Sequence, residues 1–420
     1  MEQLSVCLLN DSFPPQIDGV SNTVVNYALC LQEKGAKAMA VTPHHPKQKD
    51  DGFSFPVVRF PSVPFPMAKE YMAGIPFSPD AARKIKGQKV NIIHSHCPIV
   101  STFMARQMRD IVDAPLILTY HTKFDIDIAN VIKPKHLREM CVKALAENIR
   151  ACDEVWTVSR GAGENLRENG YEGEYVIMPN GVDLPRGRVS DEAIFDATGS
   201  YDLPPNVPVY LFVGRLMWYK GIRIILDALA KLMAENKDFR MVFIGTGADR
   251  KTIEEYCAEL NVAHKCIFTG PIHDREALRA WYCRSDLFLF PSTFDTNGLV
   301  VREAAACDLP AVLVAGSCAA EGITDGRNGF LMEENAQSLY VLLGKLQNDP
   351  GLVKTVGENA GKELYLSWSQ AVDNAVARYE TVLERHRSGL YPPHKRMADG
   401  FFHMNADLMN ALSKLPTMKR

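Results

Sequence analysis

Short apolar, β-branched runs alternate with helical patterns along almost the whole of this 420-residue chain. That rhythm leaves few folds open. Parallel neighbours need a crossover of about a dozen residues or more between them, usually a helix, so strand–helix alternation is the sequence form of a parallel sheet covered by helices on both faces. The strand candidates in the first half are residues 4–9, 38–42, 57–60, 91–94, 116–120, 154–158 and 175–178. Between the first two lies a helix that Ser21 can cap, with Val24, Ala28 and Leu31 on its apolar face and Gly35 at its end. The second half repeats the scheme at 209–213, 240–244, 266–269, 287–290 and 311–314.

The break falls between these halves. Residues 184–208 hold four prolines, two glycines and an Arg-Gly-Arg run, and read as a linker plus a loose helix. The expected organisation is an N-terminal doubly wound domain at 1–184, a linker at 185–207 and a second doubly wound domain at 208–367. A helix follows at 368–389, with Val372, Val376, Tyr379 and Leu383 as its stripe, and then an amphipathic tail at 390–420. In the tail Phe401, Met404, Leu408, Leu412 and Leu415 recur at helical spacing, fit to dock on the protein itself, on a partner or on a membrane. In open α/β sheets ligands sit outside the carboxyl ends of the strands, so the site is expected in a cleft between the two domains.

Composition narrows the function. A net charge of −3 with 46% hydrophobic and 23% charged residues is that of a soluble globular protein, and argues against nucleic acid as the main partner. The ten cysteines are scattered, none with C-x-x-C spacing, and read as reduced, mostly buried thiols of a cytoplasmic protein. The first apolar run is interrupted by Asn10 and Asp11, so it makes no signal-peptide core, and nowhere do about 18 apolar residues run together.

The most informative segment is P-S-T-F-D-T-N-G-L-V-V-R-E-A-A-A-C-D-L-P at 291–310. Asp295 and Glu303 stand eight positions apart, the first in a turn-forming loop after an apolar strand, the second on the following helix. That places a helix N-terminus, with backbone N–H groups near Thr296, Asn297, Gly298 and Leu299, between two acceptors suited to sugar hydroxyls. A ligand carrying phosphate and several hydroxyls satisfies both. Arg215 and Lys220 follow the strand at 209–213, with Gly214 and Gly221 allowing close backbone approach. His121 emerges from the carboxyl end of another strand, where a histidine can touch a sugar or a developing charge. Three other motifs fail on inspection. Asp125-Ile-Asp127 is a two-residue D-x-D match in the wrong domain, Gly245-Thr-Gly247 has Arg250 at the third glycine position, and Arg250-Lys251-Thr252 lacks the glycine that precedes the lysine of a P-loop. His94 and His96 make an H-x-H pair without a suitable third metal ligand.

The 291–310 segment resembles the E-x7-E signature of retaining, nucleotide-sugar-dependent glycosyltransferases of GT-B type, family 4, with Asp295 for the first Glu and Asn297 for the Phe usual before the glycine. P-P-Q-I-D-G-V at 14–20, T-Y-H-T at 119–122, P-N-G-V-D at 179–183, V-G-R-L-M-W-Y-K-G at 213–221, F-I-G-T-G at 243–247 and T-D-G-R-N-G-F-L at 324–331 follow in the family's order. The resemblance implies the GT-B fold, two Rossmann-like domains facing a central cleft with C-terminal helices crossing back. It implies no cofactor and no metal, only a nucleotide sugar as co-substrate, with UDP-glucose favoured. By resemblance Arg215 and Lys220 clamp the diphosphate, Asp295 accepts hydroxyls of the transferred sugar and Glu303 both ribose hydroxyls. His121 then contacts the donor sugar, and the turn through Gly270, Pro271 and Ile272 holds the base. Gly19 is expected in a tight turn whose amides meet the phosphate or the sugar; Asp18 stands where the family usually has another glycine, and the sequence leaves its direction open.

Within the family, the first half is most similar to bacterial diacylglycerol glucosyltransferases, through R-F-P-S-V-P-F-P at 59–66, the run at 71–76 and T-Y-H-T-K-F at 119–124. Phe65, Phe77, Phe103 and Phe124 beside Lys133, Lys135 and Arg138 suit a lipid acceptor at an anionic membrane surface, which makes the protein peripheral on the inner face. The alternatives are a soluble sugar or small-molecule acceptor, a GT-B nucleotide-sugar epimerase and a non-catalytic nucleotide-sugar sensor.

Overall fold

The computed structural model describes residues 3–16, 18–65, 72–391 and 397–414. The chain divides into two compact units, Met1–Asn180 together with Trp368–Arg420, and Gly181–Ser367.

The first unit opens with β1 (Ser5–Leu9), α1 (Gly19–Glu33), β2 (Lys37–Pro43) and β3 (Val57–Phe60), followed by a small antiparallel hairpin of β4 (Ser62–Pro64) and β5 (Met72–Gly74). Pro66 and Tyr71, from the two runs that resemble the lipid enzymes, lie outside the described residues. Next come α2 (Pro79–Gly87), β6 (Ile92–Ser95), α3 (Val100–Val112), β7 (Leu116–Tyr120), α4 (Phe124–Val131), α5 (Lys135–Arg150), β8 (Glu154–Thr157), α6 (Arg160–Glu168) and β9 (Val176–Ile177). Seven strands form one parallel sheet in the order β3-β2-β1-β6-β7-β8-β9. Strands β1 and β7 are buried at every position, which their unbroken apolar runs require of a sheet covered on both faces.

One boundary differs from the sequence reading. The cap of α1 is Asp18, not Ser21: its Oδ1 accepts from the amides of Val20 and Ser21 at 2.9 and 2.7 Å, while Ser21 Oγ accepts from the Asp18 amide at 2.9 Å. Ser21 is therefore the third helical residue of a reciprocal capping box, because a carboxylate three positions earlier reaches the same free amides. The "extra" acid is turned into its own helix terminus, where the helix dipole favours negative charge.

The second unit contains α7 (Asp191–Thr198), β10 (Val209–Val213), α8 (Ile222–Ala234), β11 (Arg240–Ile244), α9 (Arg250–Glu259), β12 (Cys266–Gly270), α10 (Arg275–Arg284), β13 (Leu287–Phe290), α11 (Leu299–Ala306), β14 (Ala311–Val314), β15 (Phe330–Met332), α12 (Ala336–Leu346) and α13 (Pro350–Glu363). Its six parallel strands run in the order β12-β11-β10-β13-β14-β15. Strand β15 was not anticipated; three residues are too few to show a period. The centre is aromatic, with Phe212, Phe243, Phe288 and Phe290 buried around β10 and β13.

Two helices then return the chain to the first unit. On α14 (Trp368–Arg387) the buried face is Ala371, Val372, Ala375, Tyr379 and Val382, leaving Val376 and Leu383 of the expected stripe half-buried. Tyr379 stacks on Trp156 at 5.3 Å, and Arg378 donates twice to Glu154 at 2.7 Å. On α15 (Met397–Ser413) the expected stripe is on the wrong side: Phe401 and Met404 are 61% exposed and Leu408 49%. The face that docks on α2 and α3 carries Phe402, Ala406, Met409 and Ser413 instead. Phe402 stacks on Phe103 and under the Arg106 guanidinium at 3.8 Å, and Met409 Sδ accepts from the Ser78 amide at 3.2 Å. A cation over a ring and a buried methionine outweigh the neighbouring stripe. Leu415 lies outside the described residues. Replacing the fully buried Met409 with alanine is expected to destabilise the α15 docking by about 2–5 kcal/mol, seen as faster amide hydrogen exchange across α15. Unchanged exchange would contradict the docking face assigned here.

Candidate active site

In the second sheet the strand order reverses between β10 and β13, so the loops leaving those strands diverge at a topological switch point, where α/β proteins hold ligands. The loop after β10 runs through Gly214 and Arg215 into a short 3-10 turn, Trp218–Lys220, and ends at Gly221 with φ +76. A Cβ at Gly221 would lie 2.3 Å from the Pro291 carbonyl oxygen, so only glycine lets this loop press on the loop after β13. The close approach delivers Lys220 to Asp295: Nζ donates to Oδ1 and Oδ2 at 2.6 and 2.8 Å, and Ser292 Oγ donates to Oδ2 at 2.5 Å.

Lys220 is buried, and burial lowers its pKa while Asp295 pushes it back up. The rings of Tyr219, Phe290 and Phe294 stand 5.5, 5.9 and 5.5 Å from its Nζ. An ammonium has three donors and a carboxylate about four lone-pair sites, so this pair keeps one donor and one acceptor site unspent. The residues read as phosphate clamp and sugar acceptor are thus bonded to each other. Arg215 is exposed, 6.0 Å from the Tyr219 ring.

The D-T-N-G loop ends at Gly298, which adopts φ +54 and starts α11 with no side chain capping it. Thr296, Asn297 and Leu299 are half-buried beside it, and the Asn297 Nδ2 is buried without a hydrogen-bond partner. One turn into α11, Glu303 is held from α10: Arg275 Nη2 donates to Oε1 and the Tyr282 hydroxyl to Oε2, each at 3.0 Å. Burial raises the Glu303 pKa, opposed by Arg275 and Tyr282. Sequence reading missed both partners. The available signal was their seven-residue spacing on α10, which puts them on one helical face. At the end of β12 the Gly270 carbonyl accepts from the Gly245 amide at 3.0 Å, tying two loops together, and Pro271 and Ile272 lead from it into α10.

In the first unit the order reverses between β1 and β6. Gly19 is the first residue of α1, and a Cβ there would meet nothing within 4 Å. Arg59 braces the loop before it, donating to the carbonyls of Pro14 at 2.7 Å and Pro43 at 3.1 Å, and paired with Asp50. His121 lies at the end of β7 with Nε2 3.0 Å from His96 Nδ1, the rings stacked at 5.2 Å, and Nδ1 3.5 Å from Asn180 Nδ2. His94 is bonded through Nδ1 to the Tyr379 hydroxyl at 2.6 Å and through Nε2 to Thr119 Oγ1 at 2.7 Å, so both of its nitrogens already have protein partners. The buried His96 Nε2 has none. His96 and His121 each follow the carboxyl end of a strand, β6 and β7, and these two strands pair side by side, which brings the rings together.

Burial drives all three imidazoles toward the neutral form: His121 is pushed down to about 3, and His94 and His96 lie well below their ordinary value of 6.5. Between 6.5 and 3 the unfolded chain therefore binds more protons at these sites than the folded one, and the stability they contribute is full above 6.5 and lost as pH falls. The melting temperature is expected to fall from pH 7 to pH 5, and to fall less steeply in His121→Asn, by one proton at most. Equal slopes in the two proteins would show that His121 titrates normally.

Comparison with known proteins gives the same picture. Residues 17–186 match "Glycosyltransferase Family 4" and residues 196–363 match "Glycosyl transferases group 1". The alpha-monoglucosyldiacylglycerol synthase of Streptococcus pneumoniae is 23% identical over 418 residues, covering 94% of this chain and 93% of that one. The sulfoquinovosyl transferase SQD2 of Arabidopsis thaliana is 27% identical over 365 residues, 83% of this chain and 67% of that one. Among solved structures, Anabaena HepE in complex with UDP aligns with a TM-score of 0.72 at 17% identity, over 90% of this chain and all of that one, which speaks to fold. With two parallel Rossmann-like sheets, helices throughout and both family regions in order, the chain belongs to the GT-B glycosyltransferases, family 4.

Proposed function

We propose that the protein is a retaining, metal-independent hexosyltransferase that moves glucose from UDP-glucose to a hydroxyl of diacylglycerol or another membrane lipid. The observation that carries this reading is the switch point of the second sheet, where a buried lysine, an uncapped helix start and a carboxylate held in place one turn into that helix come from the segments that follow β10 and β13. A departing diphosphate needs cations and N–H donors set in advance. Lys220 supplies one unspent donor, Arg215 an exposed second cation and the Gly298–Leu299 amides the rest, while Asp295 holds Lys220 in place and Glu303 receives the ribose. His121 is then the contact for the transferred sugar from the first unit.

The uridine nucleotide is supported by the UDP that HepE carries, and the glucosyl group and lipid acceptor by the Streptococcus relative that matches nearly the whole chain. The first unit adds a physical argument. Phe77 and Phe124 pack on its core and Phe103 is covered by Phe402, so they do not form a lipid-facing surface. Among the exposed apolar side chains of that unit, Leu137 and Met140 at the start of α5 are 47% and 55% exposed and stand with Lys133, Lys135, His136 and Lys143 exposed around them, Lys135 paired with the exposed Glu139. Apolar tips within a basic helix face suit an anionic bilayer, and among the described residues no helix is long and apolar enough to cross one. On this reading the protein works on the inner, cytoplasmic face.

The donor is tested by thermal shift across a panel of nucleotide sugars, where a ligand at 100 times its dissociation constant adds ~2.7 kcal/mol. UDP-glucose is expected to give the largest shift, and transfer to diacylglycerol in anionic vesicles is expected to persist in EDTA with the anomeric configuration kept. Loss of transfer on chelation, or an inverted product, would refute the metal-independent retaining reading. Arg215→Ala and Lys220→Met are each expected to lower kcat/KM by about tenfold or more, the worth of one charge-assisted hydrogen bond; full activity in both would remove the phosphate clamp.

A further inference from the structure

Glu303 is already engaged on both oxygens by the protein, one by Arg275 and the other by Tyr282. Arg275 in turn lies 3.6 Å from Asp183, the last residue of the P-N-G-V-D motif, to which the donor reading gives no task. Two side chains of α10 thus engage one carboxylate, and a third, Asp183 from a separate segment, lies against one of them. We propose that Arg275 and Tyr282 are positioning residues through which the protein selects ribonucleotides over deoxyribonucleotides; this rests on the reading that Glu303 receives the ribose hydroxyls.

The argument is one of counting and of rotation. An ionised carboxylate offers about four lone-pair sites, and one on each oxygen is taken. Two donors attached to different oxygens fix the plane of the group, which a single donor would leave free to turn. The remaining site on each oxygen is then aimed, and a vicinal diol is a ligand that presents two O–H donors side by side. A 2′-deoxyribose supplies only one of them and leaves an acceptor of a nearly buried carboxylate unpaired, which costs more than the bond itself is worth. Arg275 also opposes the upward pull of burial on the Glu303 pKa. Asp183 approaches the same Nη2 of Arg275 that bonds Glu303, at 3.6 Å against 3.0 Å, so the guanidinium is drawn toward the two carboxylates together. A carboxylate aimed in advance binds without having to be ordered.

The test is calorimetric binding of matched pairs, UDP with 2′-deoxy-UDP, ADP with 2′-deoxy-ADP and GDP with 2′-deoxy-GDP, to the full chain and to Tyr282→Phe and Arg275→Gln. For the base that binds tightest, the unaltered protein is expected to prefer the ribonucleotide by about tenfold or more, and each variant by about threefold or less. The deoxynucleotide affinity, set by the diphosphate and base, is expected to change little. A variant that weakens both members of a pair equally, leaving the preference intact, would make these residues structural and overturn the inference alone. Equal binding of both members by the unaltered protein overturns it as well. Failure to bind any of the six diphosphates would instead overturn the nucleotide-sugar reading of the site, and this inference with it. Arg275 is exposed at the start of α10, so Arg275→Gln carries the test should Tyr282→Phe fail to fold.

Discussion

A backbone contact at Gly221 sets the geometry of the second unit's site. Where the chain leaves β10 for one side of the sheet and β13 for the other, two loops must share the space at the switch point, and the Pro291 carbonyl occupies the place of any β-carbon at residue 221. Lys220, the residue before it, is carried into a buried position that an isolated ammonium would not tolerate. Asp295 and Ser292, from the opposing loop, make that burial possible. The ion pair is therefore a product of loop packing, and the aromatic rings of Tyr219, Phe290 and Phe294 keep water from its sides.

The candidate site residues of the two units differ in the polarity they bury. In the second, charge is kept and matched: Lys220 with Asp295, Glu303 with Arg275. In the first, three histidines at the ends of β6 and β7 are held uncharged, His94 tilted against His96 and His96 stacked on His121, and are bonded to hydroxyls or to each other. Burial without a counter-ion leaves an imidazole no other stable form.

Much of this was legible in the chain. Each of the twelve apolar runs became a strand, within a residue or two of its expected ends, most plainly where, as in β1, β7 and β10, the strand is buried at every position and reads as an unbroken apolar run. Strand β15 and the β4–β5 hairpin escaped, being three residues long apiece. The α15 stripe was misplaced by one position because Phe401 and Phe402 are adjacent and each begins a plausible helical repeat; the partner face on α3, with Phe103 and Arg106, made the choice. The site divides along the same line. Asp295, Lys220 and Glu303 are marked by local motifs, whereas the spacing of Arg275 and Tyr282 shows only that they share a face of α10, and their meeting with Glu303, like that of His96 with His121 in the first unit, comes from the folded arrangement of elements distant in the chain.

The return of α14 to the first unit has a consequence for biosynthesis. Tyr379 is fully buried between Trp156 and His94, and Arg378 supplies the counter-charge for Glu154. As the polypeptide leaves the ribosome, the portion made first must wait for the portion made last before its core is closed, while Gly181–Ser367 has its whole complement of strands in hand. During that interval the nascent N-terminal half exposes a tryptophan-lined seam and an unneutralised glutamate, the surface that a holdase chaperone would meet.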